Sequence, residues 1–132
     1  MKRGILCSLL AAALLVLPAR AARTVPVQVD GQLLTVRGTL ESGVTYIPLR
    51  TLLDTLGGWS VWWDSAEKEA VAISNDVRLT ADPEENTVTV NGQTYDGQVY
   101  VKSGRTYVPL RLTMNLLGGS AAIAGGVRYL LV

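Results

Sequence analysis

The sequence predicts an α+β fold, mostly antiparallel β-sheet with two short α-helices. Three observations support this prediction: a self-similarity at an offset of 61 residues, β-prone runs that meet at Asp-Gly and Asn-Gly pairs, and a stripe of apolar residues with helical spacing in each copy. The order of these features predicts two copies of a β-hairpin–strand–helix–hairpin unit, in about residues 25–80 and 87–132.

The repeat is clearest in one nine-residue motif. Residues 42–50 read SGVTYIPLR, and residues 103–111 read SGRTYVPLR. The same offset places VDGQ at 29–32 over VNGQ at 90–93, and LGG at 56–58 over LGG at 117–119. Because residues that recur in a duplicated unit usually hold that unit together, we assign a structural role to Tyr46, Pro48, Leu49, Arg50, Tyr107, Pro109, Leu110 and Arg111.

Turn residues and periodicity divide the first copy into elements. Runs at 25–29 and 33–36 flank Asp30-Gly31, a pair typical of two-residue hairpin turns. A short strand at 45–47 leads to Pro48, which suits the first turn of a helix. That helix carries leucines at 49, 52, 53 and 56, and a Gly-Gly pair ends it. Strands at 59–64, 69–74 and 77–80 complete the copy.

The second copy follows the same course with a weaker helix and a shorter end. Leu110, Met114 and Leu117 form its stripe, whereas Thr113 stands where the first copy has a leucine. Strands are predicted at 121–124 and 127–132, and the final YLLV is expected to be buried. Leu53 and Met114 hold equivalent positions, so both should face one shared core.

The first 21 residues have the pattern of a secretory signal peptide. Lys2 and Arg3 precede an apolar run over residues 5–17, and Ala19 and Ala21 supply a small-residue cleavage site. The run is shorter than the ~20 apolar residues of a spanning helix, so we predict a secreted product without a membrane segment. Residues 22–132 would form a single domain. It would lack Lys2, Arg3, Arg20 and Cys7, which leaves nine basic and 11 acidic residues and a net charge of −2.

Composition excludes several functional classes. The chain has no histidine and one cysteine, which excludes a Ser-His-Asp triad, a histidine-ligated metal and an internal disulfide. A net charge of +1 is not the basic surplus that nucleic-acid binding requires. We therefore predict no cofactor, no metal, no catalytic residue and no nucleic-acid partner.

Two further motifs suggest a function that their sequence context argues against. Ser65 and Lys68 match the Ser-x-x-Lys pattern of penicillin-recognising enzymes, but that chemistry needs them at a helix N-terminus, and here they lie between two predicted strands. The acidic run DPEEN at 82–86 lacks the alternating ligands and central glycine of a calcium loop. A solvated turn is the better interpretation of that run.

Arg50 and Arg111 begin the two predicted helices at equivalent positions. Binding of an anionic wall polymer is one interpretation. The other is structural, since Arg50 lies four residues before Asp54 and within reach of an ion pair along the helix. Asn115 replaces that aspartate in the second copy. We favour the structural role.

Tryptophans provide the best candidates for a functional contact. In a strand over residues 59–64, alternation places Trp62 with Ser60 and Asp64 on one face and Trp63 on the other. An exposed Trp62 between those polar residues would stack on a sugar ring or anchor a protein partner. The alternative is that Trp62 covers a sheet edge or packs beneath a loop.

Taken together, the motifs resemble a known family. V-x-V-D-G-Q, the later GRTYVPLR at 104–111, a leucine-rich helix ending in Leu-Gly, and Trp63-Asp64 before another strand are similar to the copper amine oxidase N-terminal-like domain. This domain is also called the stalk domain and occurs in secreted bacterial proteins. The resemblance covers about residues 25–132. The sequence departs from the family pattern at Val44, where arginine is usual, and at residues 124–125, where a second Trp-Asp is expected.

The resemblance implies a small antiparallel sheet curved around a helix, no enzymatic activity, and a core position for Trp63. It places the copper and the quinone of the oxidases in a different domain. The expected function is that of a secreted, non-catalytic module that is associated with cell-wall polysaccharide or binds another extracellular protein. Two alternatives stay open: a carbohydrate-binding module that uses Trp62 with Tyr95 or Tyr100, and a small extracellular hydrolase with paired acidic residues in a cleft.

Overall fold

The computed structural model describes residues 22–123 of the chain. The predicted signal peptide at 1–21 and the predicted turn and final strand within 124–132 lie outside the described residues. The described elements, in chain order, are β1 (Arg23–Val25), β2 (Val27–Val29), β3 (Gln32–Leu33), β4 (Gly38–Glu41), β5 (Val44–Pro48), α1 (Leu49–Leu56), β6 (Ser60–Asp64), β7 (Glu69–Ser74), β8 (Val77–Asp82), β9 (Thr87–Val90), β10 (Gln93–Asp96), β11 (Tyr100–Lys102), β12 (Arg105–Pro109), α2 (Leu110–Leu116) and β13 (Ala121–Ile123).

These strands form three antiparallel sheets. One five-stranded sheet has the order β10-β9-β8-β7-β6, and a second has the order β11-β12-β5-β4-β1. A three-stranded sheet has the order β13-β2-β3. Together with the two helices, these sheets confirm the predicted α+β class.

Corresponding elements of the two halves lie about 61 residues apart, which is the offset of the sequence motif. β2, β3, β4, β5, α1 and β6 correspond in this way to β9, β10, β11, β12, α2 and β13. Within residues 22–123, β1 has no such counterpart, and the positions 61 residues after β7 and β8 fall outside the described residues. The β7–β8 hairpin lies between β6 and β9 in its sheet, whereas their counterparts β13 and β2 pair directly.

The two halves meet at β5 and β12. These strands pair antiparallel, with Ile47 opposite Val108 and Tyr46 opposite Pro109. Because Ile47 and Val108 are themselves 61 residues apart, a local twofold relates the halves at this pair. α1 contacts β12 as well as β5, and α2 contacts β5 as well as β12. Each helix is thus packed against strands from both halves.

One hydrophobic cluster draws its residues from both halves. Leu52 and Leu53 of α1 are fully buried, as is Leu110 of α2, and Met114 is 1% exposed. Leu53 and Met114 therefore face a shared core, as predicted. The apolar stripes explain this placement, because residues three and four apart lie on one face of a helix.

The structure corrects three local predictions. Pro26, which has no N–H to donate, splits the run at 25–29 into β1 and β2, and these strands join different sheets. The run at 33–36 is extended only at Gln32–Leu33. Pro48 is the N-cap of α1 rather than part of its first turn, since its ψ of 129° continues β5. Pro109 caps α2 in the same way, with ψ 124°.

Candidate functional site

The strand that carries the tryptophans forms one wall of a groove. Among the strands of residues 22–123, β6 is an edge strand of its sheet. A groove of about 310 Å³ lies beside it, between β6, the start of α1 and the turn that joins β11 to β12. Its lining includes Arg50, Asp54, Trp62, Trp63 and Arg105. Since α1 and the β11–β12 turn come from different halves, this β6 groove exists only where the halves meet.

Arg50 bridges α1 and the edge of the sheet. Its Nη2 donates a hydrogen bond of 2.8 Å to the carbonyl oxygen of Val61 in β6. The predicted partner, Asp54 on the same helix, is thus not the acceptor of this bond. The physical reason is the open edge of β6, because a carbonyl without a strand partner accepts readily from a charged donor. Arg50 therefore links α1 to β6 through a different partner from the one predicted.

Both Trp62 and Trp63 are exposed, on opposite faces of the sheet. Trp62 is 41% exposed and Trp63 is 44% exposed. Trp63 lies opposite Ala70 on the core side of the sheet, yet in the described part of the chain no further strand lies beyond β6 to cover it. The core position that the resemblance implied for Trp63 is therefore wrong. Its indole lines the β6 groove and an adjoining depression shared with Val101.

The Trp62 side chain is partly buried against the sheet and partly exposed to solvent. It lies directly opposite Val71 of β7. Val71 is fully buried but falls outside the main core cluster, to which its neighbours Ala70 and Ala72 belong. The outer face of the sheet is therefore covered at Val71, and a cross-strand neighbour such as Trp62 contributes to that cover. The remaining indole surface is open to solvent.

Ser60 and Asp64, the predicted companions of Trp62, lie at the two ends of β6. The Oδ1 of Asp64 accepts hydrogen bonds from the backbone N–H groups of Ala66, at 3.0 Å, and Glu67, at 3.1 Å. Asp64 therefore holds the turn that follows β6. Ser60 is exposed. The structure leaves Trp62 and Ser60 as the contact candidates with accessible surface.

A second groove, of about 430 Å³, occupies the equivalent place in the other half. Arg111 stands there in the position of Arg50, and Val44 stands in the position of Arg105. Among the described residues that line this second groove there is no tryptophan. Among the described residues, the β6 groove thus has two arginines and two indoles, whereas its counterpart has one arginine and no indole.

The motif tyrosines form a cluster on the second sheet. Tyr100 stacks on Tyr107 with ring centroids 4.9 Å apart, and it meets Tyr46 edge-on with centroids 5.3 Å apart. The Tyr46 hydroxyl donates a 3.2 Å hydrogen bond to Oε1 of Gln98. Burial raises the pKa of Tyr46, with a smaller effect of Glu41, and burial also raises the pKa of Tyr100. This packing supports a structural role for Tyr46 and Tyr107.

The structure does not bring Trp62 together with Tyr95 or Tyr100. Tyr95 lies opposite Val88 and so shares a face with Trp63, on the far edge strand β10. Tyr100 belongs to the other five-stranded sheet. A flat platform of coplanar rings, as a sugar-binding face would use, is not assembled from these residues.

The enzymatic and metal-binding candidates do not form a site. Ser65 and Lys68 lie in the β6–β7 turn and not at a helix N-terminus. Asp82 accepts from the backbone N–H groups of Glu84 and Glu85, which makes the DPEEN run a hydrogen-bonded turn. Across residues 22–123, no group of three or more His, Cys, Asp and Glu side chains is placed to hold a metal ion. Copper does not fit this donor set, since the chain has no histidine.

Two residues have a role that the sequence analysis missed. The backbone N–H of Asp30 donates to the carbonyl oxygen of Ser120 at 3.0 Å, and its Oδ1 accepts from the Ser120 N–H at 2.8 Å. Asn91 makes the same pair of bonds with Arg78, both at 2.9 Å. The sequence signal for this role is the recurrence of Asp or Asn at equivalent positions of the two copies. Both side chains carry Oδ1, which is the acceptor atom in each pair of bonds.

The fold and the site define a class of protein. Two half-units pair about a local twofold, and exposed indoles stand at a sheet edge. In residues 22–123, no helix is long and apolar enough to cross a membrane. The family model of the copper amine oxidase N-terminal domain matches residues 28–129, so the chain belongs to that family. No curated protein and no solved structure matches the chain.

Proposed function

We propose that the protein is an exported, non-catalytic stalk-type domain that contacts an extracellular partner through the exposed surface of β6. Membership of an N-terminal domain family supports the non-catalytic role, and the three-part pattern of residues 1–21 supports export. The observation that carries the proposed contact is the pair of half-exposed indoles, Trp62 and Trp63, on one edge strand.

Exposed tryptophans at a sheet edge favour a binding role on energetic grounds. An indole that is half exposed leaves much apolar surface in water, and that surface is removed when a partner covers it. Tryptophan is accordingly enriched among the few residues that dominate binding at interfaces. Ser60 adds a hydroxyl beside Trp62 on the outer face, and Arg50 and Arg105 add charged donors in the β6 groove.

The arrangement of the indoles favours a protein partner over a sugar ring. Trp62 and Trp63 are consecutive in β6, so their side chains project to opposite faces. They cannot lie coplanar under one sugar. They can instead hold both sides of a segment that runs along the edge.

The contact is tested by retention on cell walls. Purified protein, Trp62→Ala and Leu33→Ala are compared on walls from the host and on the same walls after protease treatment. Leu33 is a matched control, since it is 60% exposed and lies in the three-stranded sheet. We expect Trp62→Ala to be retained about tenfold less, as for an interface hot spot, and Leu33→Ala to be retained as well as the unaltered protein. Melting of each variant checks that it is folded.

The treated walls distinguish the partner classes. A protein partner is indicated if protease treatment removes retention, and a wall polymer if retention persists. Equal retention of folded Trp62→Ala and the unaltered protein would contradict a contact at β6. Export is tested separately by N-terminal sequencing of protein from the medium, which should begin at or near Ala22; recovery of Met1 on a membrane-embedded form would contradict export.

A further inference from the structure

We infer that the edge of β6 that has no strand partner within residues 22–123 receives an extended, acidic peptide segment as an additional strand, bound in the β6 groove. This inference rests on the proposed function and names the chemistry of the partner. Strand addition to an exposed sheet edge is a general mode of peptide recognition, in which main-chain bonds provide affinity and alternate side chains provide selectivity.

The hydrogen bond of Arg50 identifies the backbone groups that face the groove. Arg50 donates to the Val61 carbonyl from outside the sheet, so the backbone N–H and C=O of Val61 point away from β7. In an antiparallel pair these backbone groups point alternately towards and away from the neighbouring strand, so those of Trp63 also point away from β7. Trp63 can offer both its N–H and its carbonyl to an added strand. The Val61 carbonyl keeps a second lone pair, so Arg50 need not leave.

The two indoles flank this edge. Trp62 stands on the outer face of the sheet and Trp63 on the core side, both half exposed. Side chains of an added strand would alternate between the same two faces. Each indole would then meet one row of partner side chains, and a strand that adds to β6 would cover both at once.

Charge favours an acidic segment. The β6 groove is lined by Arg50 and Arg105 against a single carboxylate, Asp54. The outer face of the sheet is acidic near the end of β6, where Asp64 lies opposite Glu69. Like charges on that face repel an acidic segment, and the arginines attract it to the edge.

The test titrates the purified, nitrogen-15-labelled protein with a blocked octapeptide of alternating Glu and Val. We expect the amide signals of Val61 and Trp63 and both indole signals to shift. Hydrogen exchange of the Val61 and Trp63 amides should slow about tenfold at saturation. Arg105→Val copies the residue of the second groove and should weaken binding about threefold. The matched change Arg111→Gln, in the second groove, should leave binding unchanged.

Two altered peptides separate strand addition from other modes. A peptide that is N-methylated on the amides facing β6 keeps its charge but loses donors, and it should bind about tenfold more weakly. A peptide with lysine in place of glutamate should not bind. Equal binding of the methylated peptide would overturn strand addition, and equal binding of the lysine peptide would overturn the charge preference.

Other outcomes also count against the inference. Shifts confined to the second groove would place the peptide elsewhere. Shifts of β6 signals that depend on protein concentration alone would make a second copy of this chain the occupant. If cell walls retain the protein through Trp62 while the acidic peptide leaves β6 unperturbed, the inference fails and the proposed function stands.

Discussion

The two halves contain corresponding elements in the same order, yet their outer sheets differ. β9 and β6 are separated by β8 and β7 in the five-stranded sheet, whereas their counterparts β2 and β13 pair directly. The Asx-Gly turn adapts to both arrangements, since Asn91 bonds to Arg78 of β8 and Asp30 bonds to Ser120 just before β13. The turn thus makes the same pair of hydrogen bonds in both halves, and the β7–β8 hairpin, which lies between β6 and β9, decides which strand the turn meets.

The largest expected effect tests whether the two halves share one core. Leu53→Ala and Met114→Ala remove equivalent buried side chains, one from each helix. Each should lower the free energy of unfolding by roughly 2–5 kcal/mol, the range for large-to-small changes in a packed core. Calorimetry should show one cooperative transition that shifts in both variants.

The control for this pair is Leu33→Ala, because Leu33 is exposed. Its free energy of unfolding should stay within ~0.5 kcal/mol of the unaltered protein. Two separate transitions, each moved by only one of the core variants, would show that the halves unfold independently.

The next largest effect tests the side-chain hydrogen bonds of the Asx-Gly turn in both halves. Asp30→Ala and Asn91→Ala each leave a backbone N–H of the neighbouring segment without its side-chain acceptor. We expect a loss of about 1–3 kcal/mol in each case, measured by urea denaturation. Asp30→Asn and Asn91→Asp retain Oδ1, so the free energy of unfolding should fall clearly less in these variants.

Backbone strain must be separated from the lost bond. Asp30 and Asn91 both have φ 49°, in the left-handed region that disfavours alanine. Asn75→Ala is the control, because Asn75 has φ 48° in the β7–β8 turn and the described structure gives its side chain no comparable bond. A loss in Asn75→Ala as large as that in Asp30→Ala would assign the effect to strain.

Local features of the fold could be predicted from the sequence. The helix stripe that contains Leu53 and the hairpin at Asp30-Gly31 follow from spacing and turn chemistry over a few residues, and the structure places both as expected. The exposure of Trp63 and the partner of Arg50 could not be predicted. Both depend on β6 being an edge strand, and strand order is set by pairing between distant segments, which alternation within one strand does not encode.

A smaller effect concerns a position where the helices differ. Thr113 of α2 stands where α1 has Leu52; it is fully buried, and its Oγ1 has no hydrogen-bond partner among the described residues. A buried hydroxyl without a partner carries a desolvation cost. Thr113→Val removes that hydroxyl at nearly constant volume and should raise the free energy of unfolding by about 1 kcal/mol. Chemical denaturation measures the change.

Thr55→Val provides the matched helix control. The Thr55 hydroxyl donates to the Thr51 carbonyl at 3.0 Å, so its removal loses a bond and should bring no gain. A similar gain in both variants would point to a general preference for valine over threonine. No gain in Thr113→Val would show that the buried hydroxyl is satisfied in solution.

The smallest expected effect is a pH dependence at Glu69, in the first strand of the β7–β8 hairpin. Glu69 of β7 lies opposite Asp64. Burial, followed by the negative charges of Asp82, Glu67 and Asp64, raises the pKa of Glu69 above its ordinary value of 4.5, and Arg78 opposes this in part. The folded protein therefore holds this proton more tightly than the unfolded chain does. Charged Glu69 opposes folding above the raised pKa, and its cost is relieved as the pH falls through that pKa towards 4.5.

Glu69→Gln removes this titration while keeping a polar side chain of similar size. The variant should melt slightly higher than the unaltered protein near pH 7, and the difference should shrink as the pH is lowered towards 4.5, because a growing share of Glu69 in the unaltered protein becomes neutral. Melting temperatures of both proteins across this range measure the change. A difference that stays constant with pH would mean that Glu69 is not titrating in the folded state over this window. The acidic neighbours of Glu69 come from β6, from the β6–β7 turn and from β8, so this pH dependence reports on the packing of β6, β7 and β8.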